Sequence, residues 1–319
     1  MDHLSSSTIL LPQYEQLHAS YDPDRRAIWH YLNPEPRPCF TPQVLKEIAD
    51  LQRRVQHYRN QSPQVADEIR YLIMASATPA VFNLGGDLTL FAQCIADGDR
   101  ERLRAYAHLC IECVLGNALH VGQSGLTTIA LVQGKALGGG FEAALSCNVL
   151  VAERGAQLGF PEVLFNLFPG MGAYSLLRRR IAPALAERLV RSGEQYSAEK
   201  LYDMGVVDVL AEKGEGMHAV YDYIRSHDRA RNAYEAIQRM REASYPVTRE
   251  ELIQITDMWV ESALIVSARD LRTMARLTSA QGRLVDVSSP VEPRRTCVVV
   301  AMPDTATNEE DVLPAVAGL

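Results

Sequence analysis

The sequence predicts an α/β fold, because apolar strand-like runs alternate with amphipathic helical segments along the first half of the chain. Four short runs of apolar and β-branched residues lie between polar or glycine positions, as strands do. They cover residues 27–32, 70–76, 127–133 and 147–152. Because these runs are apolar almost throughout, we expect both faces of the sheet to be covered.

Helices are predicted between these strands. Thr41-Pro42 places an N-cap residue before a proline at the first helical position, and apolar residues then recur at helical spacing to about Arg59. A second long helix should run from Asp99 to about His120. A short helix should begin at Gly139 or Gly140, directly after a strand.

Helical periodicity dominates residues 171–279, where Gly193 and Gly205 are the expected stops. The last segment, residues 248–280, reads as one long helix. Its acidic residues come early and its basic residues come late, as the helix dipole favours. The late basic residues are Arg269, Arg272 and Arg276.

Composition excludes several classes of function. The chain has 319 residues, 47% of them hydrophobic and 22% charged, which is enough for a large core in one or two domains. A net charge of −7, with only the short basic run 178–180, argues against a nucleic-acid or anionic-membrane partner. No apolar run approaches the roughly 20 residues of a membrane span, and residues 1–7 lack the features of a secretion signal, so a cytoplasmic protein that is not membrane-embedded is expected.

Two cysteines and three histidines attract attention but predict no metal site. Cys110 and Cys113 have zinc or redox spacing, but no second Cys/His pair accompanies them, so we interpret them as small apolar residues on one helix. His57, His108 and His120 fall on predicted helices or their ends without a matched partner, and we interpret them as structural. We predict no cofactor and no metal.

Two glutamates beside glycine-rich turns are the candidate catalytic residues. The glycine clusters 85–86 and 138–140 follow predicted strands, and backbone amides there can approach a carbonyl without obstruction. Gly86 and Gly139 could therefore form an oxyanion hole, the second at a helix start. Glu142 lies about one helical turn after Gly139, on the same side, and Glu162 follows Pro161 on a predicted loop. Two carboxyl groups near two amides suit acid/base chemistry on an acyl group.

Three segments of the chain together resemble a known family. Residues 82–88 read FNLGGDL, residues 133–144 read QGKALGGGFEAA, and residues 159–172 read GFPEVLFNLFPGMG. They are similar to the signature segments of the crotonase (enoyl-CoA hydratase/isomerase) superfamily. The resemblance covers about residues 20–230 and implies a spiral of ββα repeats, trimers or dimers of trimers, and thioester substrates held by the amides of Gly86 and Gly139.

Within that superfamily the chain most resembles the bacterial diffusible signal factor synthases, in the three segments above and also at residues 196–199 and 255–260. This resemblance implies dehydration of a 3-hydroxyacyl chain on acyl carrier protein to the cis-2-enoyl thioester, then thioester hydrolysis. It also implies Glu142 and Glu162 as the catalytic pair, and the receiver domain of a sensor kinase as a further partner.

The resemblance, together with the irregular composition after residue 280, divides the chain into three parts. Residues 1–228 would form the spiral core, residues 229–280 a helical region for oligomerisation or pocket covering, and residues 281–319 a mobile tail, although residues 297–301 could pair as an edge strand. Six apolar residues could line an acyl pocket or simply pack the core: Phe165, Leu167, Phe168, Met171, Met258 and Trp259.

Other functions fit the sequence less well. Gly138-x-Gly140-x-x-Ala143 loosely fits a dinucleotide-binding turn, but Glu142 would point a carboxylate at the pyrophosphate. Gly134-Lys135 lacks the spacing of a P-loop. An ordinary enoyl-CoA hydratase or isomerase acting on coenzyme A thioesters is the main alternative, and a protein that only binds a partner is the third.

Overall fold

The computed structural model describes residues 11–122 and 125–285. Within these ranges the chain forms two sheets and a surrounding set of helices. None of the helices there combines the length and apolar character needed to cross a membrane. The predicted tail lies outside the described residues except for its first five positions, which continue the last helix to Val285.

The larger sheet has six strands in the order β1-β2-β3-β5-β7-β10. β1 pairs with β2 antiparallel, and the other neighbours are parallel. The smaller sheet has the order β4-β6-β8-β9, with β9 antiparallel. The strands are β1 Leu17–Asp22, β2 Ala27–Leu32, β3 Tyr71–Ser76, β4 Val81–Asn83, β5 Thr127–Val132, β6 Lys135–Leu137, β7 Val149–Glu153, β8 Gln157–Gly159, β9 Gln195–Ser197 and β10 Val209–Ala211.

The helices cover both faces of the larger sheet and enclose the smaller one. They are α1 Pro42–Arg59, α2 Pro63–Ala66, α3 Leu88–Asp97, α4 Arg100–Ala118, α5 Gly139–Ser146, α6 Ala173–Leu177, α7 Pro183–Ser192, α8 Ala198–Asp203, α9 Gly216–Arg229, α10 Arg231–Ser244, α11 Arg249–Leu264 and α12 Ala268–Val285. Short 3-10 helices occupy His120–Gly122 and Pro161–Phe165. β3, β5 and β7 are buried along almost their whole length, as the apolar runs predicted.

The predicted α/β fold is confirmed, and the four predicted strands correspond to β2, β3, β5 and β7. The first predicted helix begins where expected, because the Thr41 side chain accepts a hydrogen bond from the Val44 N–H. α4 and α5 also fall close to their predicted positions.

Helices dominate residues 171–279 as predicted, although two strands of three residues each, β9 and β10, also lie there and give no alternation to detect. One expectation for the second half of the chain is wrong, because the final segment is two helices rather than one. Ser267 and Asp270 form a reciprocal capping box, in which each backbone N–H donates to the other side chain, and this starts α12 afresh. Arg269 consequently lies in the first turn of α12, where the helix dipole disfavours positive charge.

The smaller sheet determines where the site forms. β4, β6 and β8 are parallel neighbours, so their carboxyl ends lie at one edge. Gly85 and Gly86 follow β4, the glycines that begin α5 follow β6, and the 3-10 helix carrying Glu162 follows β8. The three segments that carry the family resemblance are therefore brought together by strand pairing.

We expect the N-cap of α1 to contribute measurably to stability. Thr41→Ala removes the acceptor for the Val44 N–H and should lower the free energy of unfolding by about 1 kcal/mol, whereas Thr41→Ser, which keeps a hydroxyl, should lose much less. Urea denaturation followed by circular dichroism measures both. Equal stabilities of the alanine variant and the wild type would contradict this account of the cap.

Candidate active site

A cavity of about 240 Å³ opens at the carboxyl edge of the smaller sheet. Its walls are mainly apolar and come from the turn after β4, from α3, α4, α11 and α12, and from the 3-10 helix Pro161–Phe165. Its polar lining comes from the two glycine turns, from the two glutamates, and from Tyr106, Lys135, Gln195 and Thr256. Apolar lining residues include Leu84, Leu88, Phe91, Leu164 and Leu277. Such a cavity suits an apolar ligand with one polar end.

The two glycine turns lie in backbone contact. Gly85 has φ +94°, and a Cβ on it would come within 2.9 Å of the Leu137 carbonyl oxygen and 3.1 Å of the Gly139 nitrogen. A Cβ on Gly139 would lie 2.7 Å from the Met171 sulfur and 3.5 Å from the Gly86 nitrogen. A side chain at Gly85 would force the two turns apart, and a side chain at Gly139 would displace the Met171 side chain. The glycines therefore allow two backbone amides, from distant parts of the sequence, to be neighbours.

The amides of Gly86 and Gly139 both line the cavity and donate no hydrogen bond to another group in the described part of the chain. Around them, the Gly138 N–H donates to the Gly159 carbonyl, and the Phe141 and Glu142 N–H groups donate to the Gly138 carbonyl. Gly139 is the first residue of α5, where the helix itself supplies no acceptor. These two amides can serve as a pair of donors to one oxygen atom.

Glu142 lies on α5 with only 1% of its surface exposed. One carboxyl oxygen, Oε1, accepts hydrogen bonds from the N–H groups of Met171 (2.8 Å) and Ala173 (2.9 Å). These amides come from the turn that leads into α6, so Glu142 holds that turn against α5. Because one oxygen is fixed by two donors, the orientation of the carboxyl group in the cavity is fixed as well.

Glu162 lies on the 3-10 helix that follows β8, rather than on the predicted loop, and reaches the same cavity from the carboxyl end of that strand. The residue is partly exposed, but its Oε2 atom is shielded and has no hydrogen-bond partner in the described residues. Its Oε1 lies beside Gly138, where a Cβ would come within 2.2 Å of it. Burying a carboxylate oxygen without a hydrogen-bond partner destabilises the fold. This favours the protonated form of Glu162, or a ligand that donates a hydrogen bond to the oxygen.

Burial changes the acidity of both carboxyl groups. It raises the pKa of Glu142 to about 8, although the amides of Ala173 and Met171 act in the opposite direction. Burial, together with repulsion from Glu142, holds the pKa of Glu162 well above its ordinary value. Two neighbouring carboxyl groups in an apolar cavity do not both ionise readily. The site can therefore hold a proton on one glutamate and offer the other as a base.

The structure separates the six predicted pocket residues into two groups. Phe165, Met171 and Trp259 line the cavity. The remaining three are not among its lining residues: Leu167 is buried in the core, Phe168 packs against the core, and the Met258 side chain is 53% exposed. Met258 and Trp259 are adjacent on α11, so about 100° of helix rotation turns one outward and the other inward.

Sequence reasoning missed several lining residues, including Phe91, Tyr106, Cys110 and Leu277. Tyr106 and Cys110 are four residues apart on α4 and so face the same side, a spacing that the sequence displays. Leu277 could not be assigned from sequence, because its position depends on the break between α11 and α12.

The other polar candidates lie outside the cavity lining, apart from Cys110. His108 Nε2 lies 2.8 Å from Asp257 Oδ1, and His120 contacts Gln238 and Glu242, so the expectation that these histidines lack partners is wrong, although both contacts link helices. In the part of the chain that the structure describes, no three His, Cys, Asp or Glu residues form a group that could hold a metal ion.

Comparison with known proteins agrees with this arrangement. The enoyl-CoA hydratase/isomerase family model matches residues 33–264. The chain therefore belongs to the enoyl-CoA hydratase/isomerase family, which is part of the crotonase superfamily.

Related proteins of known name match parts of this chain. The mitochondrial enoyl-CoA hydratase domain-containing protein 2 of Bos taurus is 31% identical over 160 residues, which are 50% of this chain and 51% of that protein. The probable enoyl-CoA hydratase of Bacillus subtilis is 38% identical over 84 residues, 26% of this chain and 33% of that one. The chain thus spans about half the length, or less, of these relatives.

Solved structures match over more of the chain. Pseudomonas aeruginosa DspI aligns with a TM-score of 0.62 and 24% identity, covering 87% of this chain and 100% of that one. The enoyl-CoA hydratase of Bacillus halodurans gives a TM-score of 0.66 at 21% identity, covering 82% and 100%. At these identities the structures establish the shared fold, and the crotonase-like fold predicted from sequence is confirmed.

The raised pKa of Glu142 predicts a pH-dependent effect of Glu142→Gln on stability. Between pH 4.5 and about 8 the unfolded chain releases this proton while the folded chain keeps it, so wild-type stability falls as pH rises through this range. Glutamine carries no such proton and can still accept from Met171 and Ala173. The free energy of unfolding of the variant minus that of the wild type should therefore increase from pH 4.5 to 8. The corresponding difference in the free energy of unfolding for Glu162→Gln should also increase with pH. A difference that is constant with pH would contradict the buried, protonated state.

Proposed function

We propose that this enzyme dehydrates a 3-hydroxyacyl chain carried on acyl carrier protein to the cis-2-enoyl thioester and then hydrolyses the thioester, releasing a cis-2-unsaturated fatty-acid signal of the diffusible signal factor type. One observation carries the proposal: two shielded carboxyl groups and two unused backbone amides meet in one apolar cavity. The detailed resemblance of the motif segments to the signal factor synthases supports the finer assignment.

In the dehydration step, the thioester carbonyl oxygen accepts hydrogen bonds from the amides of Gly86 and Gly139. These donors stabilise the enolate that forms when a carboxylate removes a proton from C2. The second carboxyl group protonates the hydroxyl at C3, which leaves as water, and the C2–C3 double bond forms. Burial raises the pKa of both carboxyl groups, but only Glu142 has hydrogen bonds from the Met171 and Ala173 N–H groups that stabilise its carboxylate. Glu142 therefore ionises more readily than Glu162, and we assign Glu142 as the base and Glu162 as the acid.

In the hydrolysis step, the same amides hold the oxyanion of a tetrahedral intermediate. A carboxylate takes a proton from water, whose oxygen attacks the thioester carbon, and the carbon–sulfur bond then breaks. The thiol of the carrier leaves with a proton, and the fatty acid is released. Both steps use one carbonyl position, which explains how a single cavity can serve two reactions.

An ordinary enoyl-CoA hydratase or isomerase is the alternative. The relatives from Bos taurus and Bacillus subtilis both have enoyl-CoA hydratase in their names, which favours it, and hydration would use the same carboxyl groups and amides. The carrier of the acyl chain and the fate of the thioester distinguish the two functions.

A row of arginines supports a carrier protein as substrate donor. Arg269, Arg272 and Arg276 are exposed at helical spacing along α12 and form no ion pair within the described residues. The neighbouring Leu277 lines the cavity, so the row lies on a helix that covers the site. An acidic carrier surface would find complementary charge there.

Exposed apolar residues support a homotrimer or a dimer of trimers. α10 is amphipathic, yet none of its residues is buried. Its exposed apolar side chains, with that of the following Tyr245, would be covered by neighbouring subunits in such an assembly. They are Tyr234, Ile237, Met240 and Tyr245.

Product analysis tests the proposed function. Incubation of the wild type with 3-hydroxyacyl carrier protein should release a free cis-2-enoic acid, detectable by mass spectrometry. Glu142→Gln should reduce this release by about 10²–10⁴-fold, because the base of the first step is lost. Hydration of trans-enoyl-CoA without release of free acid would favour the alternative. Full activity of the glutamine variant would exclude this catalytic site.

Charge reversal on α12 tests the carrier. Arg272→Glu combined with Arg276→Glu should raise KM for the carrier-bound substrate about tenfold, with kcat unchanged, because rim charges act on association. A short acyl thioester without a protein carrier should keep its KM. The matched control is Lys213→Glu with Arg229→Glu, two other exposed cations. Equal KM values for the two double variants would argue against docking at α12.

A further inference from the structure

Asn83 holds the turn that presents the Gly86 amide. The residue ends β4 and is completely buried. Its side-chain oxygen Oδ1 accepts a hydrogen bond of 2.8 Å from the Gly85 N–H, two residues further along the chain. Asparagine side chains form such contacts in turns. Asn83 is not among the residues lining the cavity, so it does not touch a ligand there.

The neighbouring amides of the turn are also occupied. The Leu84 N–H donates to the Pro38 carbonyl (2.7 Å), and the Asp87 N–H donates to the Tyr106 hydroxyl (3.2 Å). Between them, the Gly85 N–H donates to Asn83 Oδ1. Of the four successive amides from 84 to 87, the Gly86 amide alone donates to no group in the described part of the chain.

Asn83 also contacts the second half of the site. A Cβ on Gly140 would come within 2.2 Å of the Asn83 carbonyl oxygen, so the backbone of β4 lies directly against the start of α5. The side chain of Asn83 fixes one glycine turn, and its backbone packs against the other. Movement at this residue would change the separation of the Gly86 and Gly139 amides.

The side-chain nitrogen of Asn83 makes no hydrogen bond in the described part of the chain, which indicates why an asparagine occupies this buried position. Its Nδ2 is buried and has no hydrogen-bond partner in the described residues, which destabilises the fold. An apolar residue would avoid that cost but would leave the Gly85 N–H without its acceptor. The acceptor oxygen is therefore the useful part of the side chain.

We propose that Asn83 is a positioning residue, which aims the Gly86 N–H at the substrate carbonyl by engaging the Gly85 N–H. The inference rests on the proposed role of the Gly86 amide in thioester chemistry. It applies to a carrier-bound or a coenzyme A thioester alike, because both present the same carbonyl group.

The test compares Asn83→Ala with Asn83→Ser, whose hydroxyl can accept from the same N–H more weakly. The substrate is the thioester that the wild type converts. With it, Asn83→Ala should lower kcat about 10- to 100-fold, which is at most the loss caused by removing an oxyanion-hole donor. KM should stay within about twofold of the wild-type value. Asn83→Ser should recover part of kcat. Asn148→Ala, which removes a side-chain acceptor for the Thr128 N–H, serves as the control and should keep kcat.

A second readout does not depend on activity. Hydrogen–deuterium exchange of the peptide covering residues 84–87 should be faster in Asn83→Ala than in the wild type, and intermediate in Asn83→Ser. Unchanged exchange, or equal kcat in the alanine variant and the wild type, would overturn the proposal. If Asn83→Ala does not fold, Asn83→Leu, which keeps a side chain of similar size without an acceptor, takes its place, and wild-type exchange and kcat in that variant would overturn the proposal. A wild type inactive on both thioesters would refute the proposed function, while exchange would still decide the role of Asn83.

Discussion

The close approach of two glycine turns is the constraint on which the site depends. Gly85 and Gly139 lie so near each other that a side chain on either would collide with the opposite turn or with Met171. This contact is possible because β4 and β6 are parallel neighbours, which end at the same edge of the smaller sheet. The contact makes the amides of Gly86 and Gly139 neighbours, and the remaining groups of the cavity are arranged around them.

The cavity combines features that oppose stability. Glu142 is buried in an apolar environment, Glu162 leaves a shielded oxygen unpaired, and two amides have no acceptor. Each of these groups would be better solvated in the unfolded chain. Their collection in one place is typical of a functional site, where stability is reduced in favour of chemistry. The buried strands of the larger sheet and the helices packed on it supply the compensating burial.

The sequence predicted the larger sheet better than the smaller one. β2, β3, β5 and β7 are long apolar runs whose character is local, and they were found. β4, β6 and β8 have three residues each, too few to show a period, and their pairing depends on contacts between distant segments. The sequence therefore indicated the site glycines and glutamates through their motifs, but the common sheet edge that joins them became visible only in three dimensions.

The same distinction applies to individual residues. The N-cap at Thr41 and the start of α5 follow from local rules and were predicted. Trp259 was expected either to line the pocket or to pack the core, and it lies in the cavity lining. Met258 was expected either to line the pocket or to pack the core, but it faces outward, because the rotation of α11 about its axis depends on packing against α4. The Ser267–Asp270 capping box was present in the sequence, and recognising it would have divided the last helix correctly.

The most direct measurement is a crystal structure of the enzyme with a non-hydrolysable analogue of a medium-chain 3-hydroxyacyl thioester. We expect the carbonyl oxygen within about 3 Å of the Gly86 and Gly139 nitrogens, with the C2 and C3 positions facing Glu142 and Glu162. Two results would contradict the central claim that this cavity acts on thioesters. One is a carbonyl oxygen bound away from both amides, and the other is a pair of glutamate carboxyl groups that both point away from C2 and C3.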